Sequence, residues 1–272
     1  MRLSVVLSTY NQPDWLEKVL IGYCCQSHSD FEIVVADDGS TSDTKARIDT
    51  VRAATGMRIR HVHHADDGFR KTIILNKAIC ASAGDYLIFS DGDCIPRRDF
   101  VAVHATLARQ RWFLSGGYCK LPLDVSRQIA REDILSGDFI RPEWLRARSV
   151  RQFRTLLKLR VRGRLARHLN AITTTRPTWN GHNASGWKSD ILGVNGFDER
   201  MTYGGEDREM GERLVNAGVK GRQIRYSAVC VHLDHGRPWR TPDALAACAS
   251  VRRTTREESR TWTEYGIERR EG

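Results

Sequence analysis

Tyr86-Leu87-Ile88-Phe89-Ser90-Asp91-Gly92-Asp93 decides the fold: an apolar run of strand length ends in two carboxylates either side of a glycine. The same pattern stands twice upstream. Leu3–Leu7 runs into Ser8-Thr9-Tyr10-Asn11, and Phe31–Ala36 into Asp37-Asp38-Gly39-Ser40-Thr41. Helical signals fill the gaps: Asp14–Cys25 with Trp15, Val19 and Leu20 on one face, Asp43 to about Ala54, and Lys71–Ala83 with Ile74, Ala78 and Ile79 at helical spacing before Gly84 stops it. Arg58–Val62 adds a short strand. Strands alternating with helices predict βαβ crossovers and an α/β fold on a mainly parallel sheet covered on both faces. Ligands of such sheets gather beyond the carboxyl ends of the strands, where Tyr10-Asn11, Asp37-Asp38 and Asp91-Gly92-Asp93 all fall.

Asp91 and Asp93 are hard oxygen donors, suited to Mg²⁺ or Mn²⁺ bridging to a diphosphate, and Gly92 lets the backbone turn sharply between them. A plain surface turn is the competing explanation. Asp38 can accept hydrogen bonds from a nucleobase or ribose, or with Ser40 it can simply cap the next helix. Arg70-Lys71 and Asn76-Lys77 flank the third helix, as diphosphate holders or as solvated charges. A second acidic motif, Gly204-Gly205-Glu206-Asp207, opens a later helix, where carboxylates also favour the positive end of the dipole. Asp207 is the preferred general base, with Glu206 binding acceptor hydroxyls or exchanging roles with it, and the double glycine lets backbone approach a ligand closely. His232 and His235 follow the strand Ala228–Val231. At the strand end His232 can complete a metal site beside Asp93, with a satisfied structural histidine as the competing explanation, while His61, His63 and His64 receive no role.

The second half is less regular. Arg111–Lys120 reads as one strand with a tight or bulged Gly116-Gly117, Asn180–Phe197 as a binding loop, and Asp243–Tyr265 as a helical tail. The expected division is 1–120, a basic helical insertion at 124–175, 176–240, and a tail at 241–272. The formal charge of +10 over 272 residues is concentrated: residues 141–167 carry nine Arg and one Lys against one Glu. Val150, Phe153, Leu157, Val161 and Leu165 form an apolar stripe through this block, as in a helix lying on an anionic membrane surface or packed on the core. No aromatic interleaving supports nucleic acid. The seven scattered cysteines never fall as CxxC, which disfavours a disulfide framework. No run reaches the ~18 apolar residues of a membrane span, and no export signal is evident, so a cytoplasmic setting is expected.

Taken in order, Ser8-Thr9-Tyr10-Asn11, Asp37–Thr41, Asp91-Gly92-Asp93, Asn195-Gly196-Phe197-Asp198-Glu199 and Gly205-Glu206-Asp207 resemble the motifs of family 2 glycosyltransferases with the GT-A fold. Asn183–Glu209 is also similar to the C-terminal region of bacterial chondroitin-type polymerases and animal β-1,4-galactosyltransferases. The resemblance implies a Rossmann-like nucleotide-sugar fold, inverting transfer from a usually UDP-linked sugar, and Mn²⁺ or Mg²⁺. Carried over, it puts the nucleoside on Thr9, Tyr10 and Asp38, Asp91 on ribose or a metal-bound water, and the metal on Asp93 and His232, while Asn11, Arg70, Asn76 and Gly92 complete the expected nucleotide-sugar site. Catalysis falls to Asp207 and Glu206, and the acceptor to Asn183, Trp187, Tyr203 and Gly205. Tyr203 stands where relatives often carry tryptophan. A cell-envelope glycan or lipid-linked saccharide is the expected acceptor. Two rivals stay open: a haloacid-dehalogenase-like phosphatase, although Cys94 rather than Thr or Val follows Asp93, and a basic membrane- or RNA-binding module.

Overall fold

Strand-forming runs with no polar alternation must be covered on both faces, and that requirement organises the molecule. A computed structural model describes residues 1–236, 239 and 241–268. Its first half is β1 (Leu3–Thr9), α1 (Pro13–Cys24), β2 (Glu32–Asp37), α2 (Ser42–Thr55), β3 (Ile59–His63), α3 (Lys71–Ala81) and β4 (Tyr86–Asp91). Next come β5 (Cys94–Pro96), α4 (Phe100–Leu107), β6 (Trp112–Ser115) and β7 (Gly117–Lys120). The insertion holds α5 (Leu123–Gln128), α6 (Arg131–Ser136), α7 (Pro142–Ala147), α8 (Phe153–Arg160) and α9 (Gly163–Ile172). The chain closes with β8 (Ala184–Trp187), α10 (Lys188–Gly193), α11 (Glu206–Asn216), β9 (Lys220–Gln223), β10 (Val229–His232) and α12 (Pro242–Glu257).

The main sheet has the order β3-β2-β1-β4-β8-β6-β9, and a small one the order β5-β10-β7. Strands β3, β2, β1 and β4 are parallel, whereas β8 runs antiparallel to both β4 and β6. Residues alternate between faces along each strand. Val5, Leu7, Ile33, Val35 and Ile88 therefore meet α1 and α2, while Val6, Val34, Leu87 and Phe89 meet α3 and α11. Each aliphatic side chain so buried contributes about 1.5–3 kcal/mol. The register is flush at the business end: Thr9 lies opposite Asp37, and Ser8 opposite Asp91. Three acidic or hydroxyl-bearing strand ends thus share one edge.

The second half departs from the sequence expectations in four places. Arg111–Lys120 is two strands, not one, because the chain changes sheets at Gly116. A Cβ there would lie 1.9 Å from Asn183 Oδ1, so only glycine fits. Asn180–Phe197 is not a loop: it contains β8, which fills the gap between β4 and β6, and α10. The tail is helical only to Glu257, and residues 259–268 then run irregularly against Asn195, whose Nδ2 donates to Thr263 O at 2.7 Å and to Glu268 O at 2.8 Å.

The fourth departure is the stripe of the insertion. The chain is extended at Val161 and Arg162 between α8 and α9, so Val150 and Val161 turn inward while Phe153 and Leu165 remain 74% and 55% exposed. Arg97, itself buried, explains the break. It donates to the carbonyls of Lys158 (3.3 Å) and Val161 (3.1 Å) freed at the end of α8, is held bidentately by Asp99, and reaches Ser227 O. Those bonds fasten the insertion to the strand region behind the site.

Candidate functional site

The flush strand ends form one wall of a cavity of about 740 Å³, and Trp179–Asn180, His182 and Tyr203–Arg208 form the other. The aspartates at 91, 93 and 207, far apart in sequence, line this single cleft. On the first wall, Asp91 Oδ1 accepts from Ser8 Oγ at 2.6 Å and from Lys71 Nζ at 3.0 Å. Burial pushes the Asp91 carboxyl up, but the Lys71 ammonium and the Ser8 hydroxyl outweigh it and hold the group well below the usual carboxylate range. Gly92 donates its N–H to Ser8 O at 2.7 Å, and a Cβ there would press on Thr9. Thr9 Oγ1 is buried without a partner.

Tyr10 donates its hydroxyl to Asp66 at 2.9 Å, and its ring meets Trp239 edge-on at 6.2 Å. Asn11 adopts φ 48°, a left-handed conformation asparagine tolerates, and its Oδ1 accepts from Thr41 N at 2.9 Å. Asp38 accepts from His64 Nε2 at 2.9 Å and from Arg70 N at 3.0 Å. Burial raises its carboxyl pKa, with His64 and Arg70 N opposing.

On the second wall, α11 begins at Glu206 because Gly205 caps it at φ 102°, following Gly204 at φ 125°. Both glycines line the cleft through their backbone. What demands glycine is this positive φ together with α12: a Cβ on Gly204 would lie 2.5 Å from Leu245, and one on Gly205 2.9 Å from Arg252. Glu206 turns back to accept from Gly204 N at 3.1 Å. Asp207 Oδ1 is buried and meets no donor. Burial pushes its carboxyl up to about 7, opposed by Lys71 and reinforced by Glu206 and Asp91. Lys71 is thus a shared cation. Burial alone would lower its pKa, yet Asp91, Asp207 and Glu206 hold it well above the usual range. Tyr203 packs edge-on against Phe69 at 5.8 Å, and Phe69 also approaches Trp239.

Asp93, Cys94 and His232 bring one ligand atom each to within 4.8 Å of one another. His235 Nε2 lies 2.8 Å from Asp93 Oδ2, and its ring stacks on His232. His232 turns Nε2 toward Asp93 Oδ1 at 3.7 Å, and its Nδ1 is buried without a partner. Burial, with Cys230 beside it, pushes the Cys94 thiol well above its ordinary pKa and keeps it protonated, a poor ligand. Carboxylates with imidazole fit Mn²⁺ better than Mg²⁺. His182, packed on Tyr118, is buried and drops to about 4, hence neutral.

Four of the residues expected here do other work. Asn183 is fully buried: Nδ2 donates to Gly117 O and Ala228 O, pinning the crossover between sheets. Trp187 packs on Tyr86, which it faces in register at the opposite end of β4, ~16 Å of strand from Asp91. Asn76 is buried and bonds Phe197 N and O through its amide. The Arg70 guanidinium pairs with Asp67, and it is Lys71, one residue on, that enters the cleft. Lys71 was expected only as one of four candidate diphosphate holders, and His182, His235, Phe69 and Trp239 had no assigned place in the sequence. The Arg70-Lys71 pair and the His232/His235 spacing were the only signals for them.

Two family models match this chain: glycosyl transferase family 2 over residues 4–115, and the N-terminal domain of galactosyltransferase over residues 171–236. The chain is 30% identical over 228 residues to validoxylamine A glucosyltransferase of Streptomyces hygroscopicus subsp. jinggangensis, covering 80% of this chain and 52% of that one. It is 24% identical over 240 residues to chondroitin synthase of Escherichia coli, covering 82% and 33%. It therefore spans about half the length or less of these curated relatives. The mannosyltransferase PcManGT from Pyrobaculum calidifontis, solved with GDP-Man and Mn²⁺, superposes with a TM-score of 0.60 at 18% identity, over 88% of this chain and 58% of that one. The fold is GT-A.

Proposed function

We propose that this chain acts as a family 2 glycosyltransferase, moving a sugar from a nucleoside-diphosphate donor, UDP-linked, onto an acceptor hydroxyl with inversion. The observation that carries this reading is the Asp207 carboxylate, its Oδ1 buried without a partner, in one cleft with Asp91 and Asp93 and with Lys71 acting on both Asp91 and Asp207. Asp207 Oδ1 takes the proton from the acceptor hydroxyl as its oxygen bonds to the anomeric carbon. The bond from that carbon to the diphosphate breaks in the same displacement, and its electron pair leaves with the nucleoside diphosphate. One displacement turns an α-linked donor into a β-linked product. A carboxyl near pKa 7 is poised for such proton transfer at neutral pH. Thr9, Tyr10 and Asp38 hold the nucleoside, and Lys71 carries positive charge to the diphosphate side. Asp93 and His232, with Asp91 beside them and His235 orienting Asp93, would hold Mn²⁺ or Mg²⁺. When bound, that ion neutralises charge on the departing diphosphate.

The acceptor in this reading is a cell-envelope glycan or lipid-linked saccharide, reached at an anionic membrane surface. Support comes from the insertion, where Phe153, Leu165 and Ile172 are exposed among Arg151, Arg154, Arg164 and Arg167. Among the described residues no helix is long and apolar enough to cross a membrane. Co-sedimentation with phosphatidylglycerol vesicles, and none with phosphatidylcholine, is expected. Equal binding to both kinds, or to neither, counts against it. The catalytic reading is tested with a panel of nucleotide sugars plus Mn²⁺, following release of nucleoside diphosphate and the anomeric proton of the product by NMR. Release from a UDP-sugar with a β product is expected. Folded protein that hydrolyses or transfers none of them sinks the proposal.

A further inference from the structure

Two aspartate–histidine pairs lie side by side at the end of β2, and only one of them opens to the cleft. Asp37 is 1% exposed, with Oδ2 on His61 Nε2 at 2.8 Å and Oδ1 accepting from Ser40 N at 2.9 Å. It is sealed, and its work is to hold the turn. Asp38 lines the cavity. Oδ1 accepts from His64 Nε2 and Oδ2 from Arg70 N, so one lone pair of each oxygen is fixed and the remaining ones are free for a ligand. On the far side of the imidazole, Lys77 Nζ lies 3.4 Å from His64 Nδ1. An ammonium only donates, so Nδ1 must present its lone pair and Nε2 must carry the hydrogen.

We infer that the chain Lys77–His64–Asp38 is a positioning device for nucleobase recognition: Lys77 fixes the His64 tautomer, and His64 locks the Asp38 carboxylate plane. A carboxylate held this way accepts only. It suits bases with a ring N–H at the edge, such as uracil at N3, and it opposes the N3 lone pair of cytosine. Neither His64 nor Lys77 touches the reacting atoms. The inference rests on the proposed placement of a nucleoside at Asp38.

Calorimetry on the full chain with Mn²⁺, using UDP, CDP and inorganic pyrophosphate as probes, tests it. His64→Ala is expected to weaken UDP about tenfold while leaving pyrophosphate within about twofold, the size of one charge-assisted hydrogen bond. His64→Gln, which keeps an N–H donor, should restore most of the loss, and Lys77→Met should cost about threefold. UDP bound by His64→Ala as by the unaltered protein overturns the inference. So does a parallel loss of pyrophosphate, or failure of glutamine to rescue. Asp38→Ala separates the two levels. Loss of UDP in Asp38→Ala but not in His64→Ala defeats this inference alone, whereas no loss in either defeats the donor reading beneath it.

Discussion

The two walls of the cleft are built on opposite terms. On the donor wall the carboxylates already have partners: Asp38 holds His64 and Arg70 N, and Asp91 holds Ser8 and Lys71. On the acceptor wall polar atoms are left over: Trp179 Nε1, Asn180 Oδ1 and Asp207 Oδ1 are buried with none, against Thr9 Oγ1 on the donor strand ends. Buried polar groups without partners cost ~1–3 kcal/mol each, so a native fold keeps few of them and concentrates them where a ligand will complete them. The donor wall is preorganised to hold charge, and the acceptor wall is held ready to react. Lys71 joins the two.

The sharpest way to break this contrast is Asp207→Asn. We expect kcat to fall ~10²–10⁴-fold, with UDP affinity from calorimetry almost unchanged. Equal losses in both would mean the walls are not separate. Next in size, chelation by EDTA or Asp93→Asn is expected to weaken UDP ~10–100-fold, read in the same experiment with and without Mn²⁺. The pH profile probes the link between the walls. kcat/KM should rise with pH and level off above about 7 as Asp207 loses its proton. Lys71→Met removes the influence that lowers Asp207, so the rise should move to higher pH, and a shift the other way would exclude the shared-cation role.

The smallest effect is on stability. A carboxyl whose folded pKa is raised contributes fully below its unfolded value of ~3.9, and the contribution fades as pH climbs through about 7. At pH 8, therefore, Asp207→Asn should melt a few degrees above the unaltered protein, on the order of 1 kcal/mol after screening, with no gain at pH 4. Loss of Tm at pH 8 would mean the ionised carboxylate is stabilising.

The same contrast sets what could be read from sequence. The donor wall hangs on parallel strand ends, where local pattern and tertiary position coincide, so Asp38, Asp91 and Asp93, expected beyond the strand ends from their apolar runs, line the cleft. The acceptor wall depends on pairings between distant segments. Ala184-Ser185-Gly186-Trp187 has neither the length nor the β-branched content of a strand, and it becomes one because β4 and β6 flank it. Asn183 and Asn76 carry the residue type of ligand binders, yet both amides are used on backbone. Arg70 and Lys71 differ by one position at a helix start, ~100° of rotation, and no local rule distinguishes them.

Asn195 gives the segment after α12 an unexpected reach. Its peptide oxygen and amide hold Thr263, Ile267 and Glu268, while two residues on Phe197 grips Asn76 of α3, the helix that opens with Lys71. Here, clipping after residue 258 would unfasten a buckle whose strap runs to the cation between the two walls, so a protease-trimmed preparation should show its defect first as weakened donor retention.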